Sequence, residues 1–370
     1  MNYYFTFNDS YSGVYHSQVI DVVKLYQTNG VQMQLIAFVS PRSFFKDKRS
    51  IKQFIPDAIV LPSIPKLSNW KKNKYLLKLV VKPKSKIICR GIFATNIALE
   101  LKSNFSEIIY DGRGAIKAEQ NEYGVYNGTG IENAIEALEL NAVLKSDKQI
   151  AVSTKLIKYW EKEYGYSNDE NVIIPCSIAD NFKKQSSVDL SLLPGLNSED
   201  ILLIYSGSLA GWQALDNLEE ILSSLMINKN IKVLFLSQSH KTIKSLEKKY
   251  PNKIYRKWLS PTEVPKYLAL GDYGLLLRNS NDTNRVASPV KFAEYLSAGL
   301  KVLISEDIGD FSEMVKDNNL GFVINDSKIE NIMLESMRAS ALEKERIRKF
   351  AIDNFSKEAV SNKYLEMMHV

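Results

Sequence analysis

Histidine and cysteine are scarce in this chain, with three and two among 370 residues. Isolated histidines point away from a metal site, and His16, on an expected helix, reads as half-exposed and structural. Cys89 and Cys176 stand in separate apolar, strand-like segments with no metal ligand at short spacing, the setting of buried free thiols rather than a disulfide. No apolar run approaches the roughly 20 residues needed to span a bilayer. The amino terminus enters Tyr3-Tyr4-Phe5-Thr6-Phe7 without the basic region or cleavage pattern of a signal peptide, so a cytoplasmic protein is expected. Charge of one sign is also lacking. The 48 basic residues are interleaved with 42 acidic ones for a net +6, and no nucleic-acid partner is expected.

What is present is ordinary globular composition, 45% hydrophobic and 24% charged, at a length that suits two domains. Apolar strand-like runs alternate with segments of helical period, the pattern of parallel sheets built from βαβ units. Strands are expected to start near Tyr3, Met33, Ala58, Lys86, Glu107, Gln149 and Asn171. A polar stretch from Asp180 to Asp200, with Pro194 and Gly195, reads as a linker. A second series starts near Ile201, Lys232, Lys253, Tyr273, Lys301 and Gly321. The expectation is an α/β protein of two Rossmann-like, doubly wound domains facing across a cleft. Residues 1–185 form the first, residues 186–354 the second, and residues 355–370 a terminal helix that packs back on the first. In doubly wound sheets ligands bind beyond the carboxyl ends of the strands, so the loops there carry the chemistry.

The most telling loop follows the strand Asp272 to Leu277. Arg278 stands at its end, and Ser288-Pro289-Val290-Lys291-Phe292-Ala293-Glu294 comes shortly after. Ser288 suits a helix N-cap and Pro289 a first helical residue. The amides of Val290, Lys291 and Phe292, at the positive end of the helix dipole, would then form an anion site. Glu294 shares a face with Lys291, with which it would otherwise form a surface ion pair. Ser206-Gly207-Ser208 and Ser12-Gly13 each follow a strand and open a helix. Both sequences suit a backbone approach to phosphate, and both equally suit a plain turn. Asp111-Gly112-Arg113-Gly114 ends another strand and reads either as charge presented by a flexible loop or as an ion pair in a turn. Glu119 and Glu122 read as surface residues. The segment 66–86 holds eight lysines with Trp70, Tyr75, Leu76, Leu77 and Leu79 among them. That composition suits contact with an anionic membrane or a solvated helix packed on the sheet.

Taken in order, Ser12-Gly13, Asp111 to Gly114, Val152-Ser153, Ile174-Pro175, Ser206-Gly207 and Ser288 through Glu294 to Gly299 resemble the retaining glycosyltransferases of family four. Their two-Rossmann-domain architecture is called GT-B, and bacterial enzymes of surface-polysaccharide synthesis look most similar. The resemblance implies a sugar transferred with retention from a nucleotide-diphosphate donor to a saccharide or lipid-linked acceptor. It places Ser12, Gly13, Gly207, Ser208, Ser288, Pro289 and Val290 at the donor, with Glu294 on the ribose. Asp111 and Arg113 would line the donor sugar and acceptor. Arg278 and Lys291 would neutralise diphosphate in place of the basic pair usual near the second glycine loop, which here reads Ser208-Leu209-Ala210-Gly211. Val286 stands where the family often has a glutamate touching the donor sugar. No Asp-x-Asp pair occurs, so neither metal nor other cofactor is expected. A nucleotide-sugar epimerase and an inactive nucleotide-sugar-binding partner subunit are the alternatives.

Overall fold

The computed structural model describes residues 1–208, 211–213, 215–324 and 338–368. The first seven strands are β1 (Asn2–Phe7), β2 (Met33–Val39), β3 (Ile59–Pro62), β4 (Ser85–Arg90), β5 (Phe105–Gly112), β6 (Lys148–Ala151) and β7 (Asn171–Ile173). The next six are β8 (Ile201–Ser206), β9 (Ile231–Leu236), β10 (Ile254–Lys257), β11 (Tyr273–Leu276), β12 (Lys301–Ser305) and β13 (Gly321–Ile324). Every strand pair is parallel. Parallel strands need a crossover, and helices supply it, so both faces of each sheet are covered. That coverage is why a strand such as β8 is buried at every position instead of alternating.

One sheet runs β3-β2-β1-β4-β5-β6-β7 and the other β10-β9-β8-β11-β12-β13. In each, the winding reverses beside the first strand, between β1 and β4 and between β8 and β11. Such switch points leave a crevice where the crossovers diverge, and ligands of doubly wound folds bind there. Two apolar clusters flank the first sheet and two the second.

The chain divides into two units at Ser177 and Ile178, earlier than the 185/186 boundary read from sequence. The segments Val286–Ser288 and Val360 onward belong with the first unit. Tyr364 is buried there, its carbonyl accepting from the Tyr26 hydroxyl at 2.9 Å. Among the expected linker residues only short 3-10 turns form, at Asp180–Phe182 and Leu190–Leu192.

One close approach positions the second switch point. A Cβ on Gly274 of β11 would lie 2.2 Å from the Tyr295 ring. Glycine there lets the helix Val290–Ser297 lie directly on the strand. The Tyr295 hydroxyl then accepts from the Ser206 amide at 2.8 Å, tying that helix to the end of β8.

The basic segment splits. Leu77 is buried, and Trp70 and Leu76 pack on the first core. Lys71 and Lys74 pair with Glu100 at 2.8 and 2.9 Å. Tyr75 and Leu79, 64% and 81% exposed on the helix Lys74–Val80, share the outer face with exposed Lys72, Lys78 and Lys82. None of the described helices is long and apolar enough to cross a membrane.

Candidate nucleotide and saccharide sites

In the second unit the loops after β8 and β11 bring Gly207, Ser208, Arg278, Lys291 and Glu294 to one switch point. Lys291, in the first turn of the helix Val290–Ser297, is buried. Its ammonium lies 4.4 Å from the centre of the Tyr205 ring and donates to Gln213 Oε1 at 2.7 Å. A Cβ on Gly207 would sit 2.2 Å from Lys291 Cε. Gly207 also has a φ of +149°, which only glycine tolerates well. The glycine therefore makes room for a lysine, where the sequence suggested room for a phosphate.

Arg278 is half-buried, and its Nη1 donates to Asn284 Oδ1 at 3.1 Å. Burial first, and then the nearby Arg278 charge, hold the Lys291 ammonium well below the usual lysine range. Two cations thus share a desolvated pocket. The alternative reading of Glu294, a surface ion pair with Lys291, does not hold, since the Lys291 ammonium turns to Gln213. The Glu294 carboxylate is half-buried and has no hydrogen-bond partner among the described residues. Burial raises its carboxyl from 4.5 to about 7, with Lys291 opposing the shift.

The helix start differs from the sequence reading. Pro289 takes the N-cap position with extended ψ of 121°, so the helix begins at Val290. Ser288 is not the cap. Its hydroxyl accepts from the Cys176 amide at 3.0 Å within the first unit. The Phe292 amide is also engaged, donating to the Pro289 carbonyl at 3.0 Å. Among the described residues no acceptor takes the Val290 or Lys291 amide. Ser208 is exposed at the loop tip, its carbonyl accepting from the Tyr205 hydroxyl at 2.7 Å. Leu209 and Ala210 lie outside the described residues.

In the first unit, Ser12 caps the short turn Gly13–Tyr15, its hydroxyl accepting from the Tyr15 amide at 3.1 Å, and Ser12 and Gly13 are exposed. His16 contacts the Tyr11 hydroxyl and Asp21 at 3.1 and 3.5 Å. Asp111 is not a loop residue. It belongs to β5 and is fully buried. Its Oδ2 accepts from Tyr4 at 2.5 Å and from Arg113 at 2.8 Å, with Arg90 at 3.8 Å. Two arginines, a phenol and a strand-end position offset the desolvation of that carboxylate, so the expectation that Asp111 meets a sugar gives way to a structural ion pair. Arg113 also donates to the Tyr364 hydroxyl at 3.4 Å. Val286 is buried in the first unit's apolar core, and its carbonyl accepts from the Ser153 hydroxyl at 2.7 Å. Among the described residues no group of three or more His, Cys, Asp or Glu is placed to hold a metal ion.

Sequence reasoning missed Tyr205 and Gln213, which orient Lys291, and the half-buried setting of Glu119. Tyr205 is marked only by its place at a strand end, and Gln213 carries no local signal.

The comparisons agree with this architecture. Residues 214–365 match the family model described as glucosyltransferase 3-like, C-terminal domain. Sucrose-phosphate synthase from Thermosynechococcus elongatus superposes with a TM-score of 0.75 at 11% identity, covering 100% of this chain and 98% of that one. The fold is that of the GT-B glycosyltransferases. Anabaena HepE, solved with UDP and glucose, gives a TM-score of 0.73 at 14% identity, covering 100% of both chains. A protein described as a UDP-N-acetylglucosamine 2-epimerase from Listeria monocytogenes gives 0.60 at 10% identity, over 98% of this chain and 94% of that one. No curated protein sequence matches the chain.

The Glu294 environment has a pH signature. A carboxyl raised to about 7 from 4.5 contributes stability below the lower value, and that contribution is lost as pH rises through the upper one. Glu294→Gln removes the cost of the buried charge. Its melting temperature relative to the parent should therefore be more favourable at pH 8 than at pH 5. The same difference at both pH values in thermal unfolding would contradict the assignment.

Proposed function

We propose that the protein transfers a sugar from a nucleoside-diphosphate sugar to a saccharide or lipid-linked saccharide, with retention, in bacterial surface-polysaccharide synthesis. The observation that carries this reading is the pair of basic side chains at one switch point, Lys291 buried and Arg278 half-buried, without a carboxylate pairing Lys291. Desolvated positive charge of this kind is completed by an anion. The helix start at Val290 adds positive potential in the same place. Glu294, on the next turn, has both carboxylate oxygens available for a pair of vicinal hydroxyls, which a ribose supplies.

In the transfer, the bond between the anomeric carbon and the diphosphate oxygen breaks and negative charge gathers on the leaving diphosphate. Lys291, Arg278 and the Val290 and Lys291 amides stabilise that charge in a site of low dielectric, where fixed donors act most strongly. Neutralisation by these side chains makes metal independence part of the proposal. With retention, a leaving-group oxygen takes the acceptor proton and no protein nucleophile is required. Asp111 and Arg113 act in this scheme as positioning groups that hold the ends of β4 and β5. The match over residues 214–365, the GT-B architecture and the UDP complex of HepE support the reading.

An epimerase acting on the donor alone shares the architecture but relies on proton-shuttling groups. His16 is engaged by Tyr11 and Asp21, and His240 caps a helix, its Nδ1 accepting from the Thr242 amide at 3.3 Å. An inactive partner subunit is the reading Val286 would favour, and turnover of donor with acceptor would exclude it.

Calorimetric titration with UDP in the presence of a chelator tests the site. The intact protein should bind. Glu294→Ala and Lys291→Ala should each weaken binding about tenfold to hundredfold, the range for hydrogen bonds to charged groups. Unchanged affinity in both variants would remove the site.

A cytoplasmic location at the inner membrane face completes the proposal, with the Tyr75 and Leu79 face of segment 66–86 against anionic lipid. Each lysine near such a surface contributes about 1 kcal/mol. The triple change Lys72→Glu, Lys78→Glu and Lys82→Glu should abolish co-sedimentation with phosphatidylglycerol vesicles. Equal binding by parent and variant would discard the contact.

A further inference from the structure

Between the two basic residues proposed to hold diphosphate, the chain leaves the second unit. Asn284 is fully buried, accepts from Arg278 Nη1 at 3.1 Å, and donates through Nδ2 to the Asn279 carbonyl at 3.1 Å. Its own carbonyl accepts from the Gly309 amide at 3.2 Å, which fixes it in the second unit. Lys291 and Glu294 follow on the helix Val290–Ser297, also in the second unit. Val286, Ala287 and Ser288, which lie between them, group with the first unit, and Pro289 returns to the second.

The first unit grips these three residues in three ways. Ser153 is buried just past β6 and caps the helix Thr154–Tyr164, accepting from the Leu156 amide at 3.0 Å. The same hydroxyl donates to the Val286 carbonyl at 2.7 Å. A serine hydroxyl has one proton to donate, and here the insert takes it. The Val286 side chain is buried in the first core, and the Cys176 amide, just past β7, donates to the Ser288 hydroxyl at 3.0 Å. Little freedom remains between that last contact and the donor helix. Pro289 has a φ of −66° and a ψ of 121°, and its ring fixes the first of these angles. A residue before proline is itself held to extended backbone. Displacement of Ser288 therefore carries the start of the helix with it.

We propose that Ser153 is a positioning residue for sugar transfer, setting through Val286 and Ser288 where Lys291 and Glu294 stand relative to Arg278. It touches no substrate in this scheme. Fixed donors act on a developing charge only as well as they are placed, so the contacts that place them affect the reaction from outside the site. The inference rests on the nucleotide-site reading, and it gives a residue of the first unit control over groups that all belong to the second.

Hydrogen exchange of the intact protein, read by mass spectrometry without nucleotide, tests the link. Ser153→Ala should speed exchange in the helix Val290–Ser297 several-fold, and Ser153→Thr, which keeps the hydroxyl, should restore the parent rate. Ser288→Ala leaves the cap of the helix Thr154–Tyr164 intact and should act like Ser153→Ala, so the test stands even where Ser153→Ala fails to fold. Asn73→Ala removes hydrogen bonds to the Ile64 amide and the Trp70 carbonyl, also in the first unit, and should leave the helix Val290–Ser297 unchanged. In UDP titrations Ser153→Ala should weaken binding about fivefold, the worth of one neutral hydrogen bond. Parent-like exchange in both alanine variants, an equal rise with Asn73→Ala, or parent-like UDP affinity in Ser153→Ala would overturn the proposal. A parent that binds no UDP would sink the nucleotide site, and the exchange rates would still decide whether Ser153 sets the helix.

Discussion

The account depends on an ammonium group buried at the end of a parallel sheet. Lys291 is desolvated, lies over the Tyr205 ring, donates to Gln213, and has Arg278 as its charged neighbour. A charge buried without a counter-charge is costly, and a fold keeps one only where a ligand or a shift in protonation relieves it. Much of the surrounding structure serves that placement. Gly207 leaves room for the side chain, Gly274 lets the helix lie against β11, and Tyr295 ties the helix to the end of β8.

Two carboxylates share one physical setting. Glu294 in the second unit and Glu119 in the first are each half-buried, unpartnered among the described residues, and raised to about 7. Asp111 and Glu139 show the opposite solution. Both are fully buried, and arginines and a phenol, or backbone amides and a phenol, hold them in place. Those contacts tie both acids into the architecture, with Asp111 Oδ1 alone left without a hydrogen-bond partner.

Strand positions and the two-sheet design were legible because buried parallel strands are continuous apolar runs broken by loops, and both series fall close to the positions expected. The Arg278, Lys291 and Glu294 cluster was legible because residues just past a strand and on the first turns of a helix have nowhere else to go. Contacts distant in sequence were hidden. Nothing local says that Cys176 takes the Ser288 hydroxyl, or that Lys291 turns from Glu294 to Gln213, 78 positions away. Asp111 misled for the same reason: Gly112 and Gly114, on either side of Arg113, imitate an open loop, while Tyr4 and Arg90, which hold Asp111 in the sheet, come from other strands. Glu119 looked like a surface residue because Gly114, the glycine that admits it, lies five positions earlier, outside the helical period.

A crystal structure with bound UDP tests the central claim most directly. The account predicts that Lys291 leaves Gln213 for a phosphate oxygen, with Arg278 beside the same diphosphate and the Glu294 carboxylate on the ribose hydroxyls. A diphosphate bound elsewhere, with Lys291 still donating to Gln213 Oε1, would contradict it.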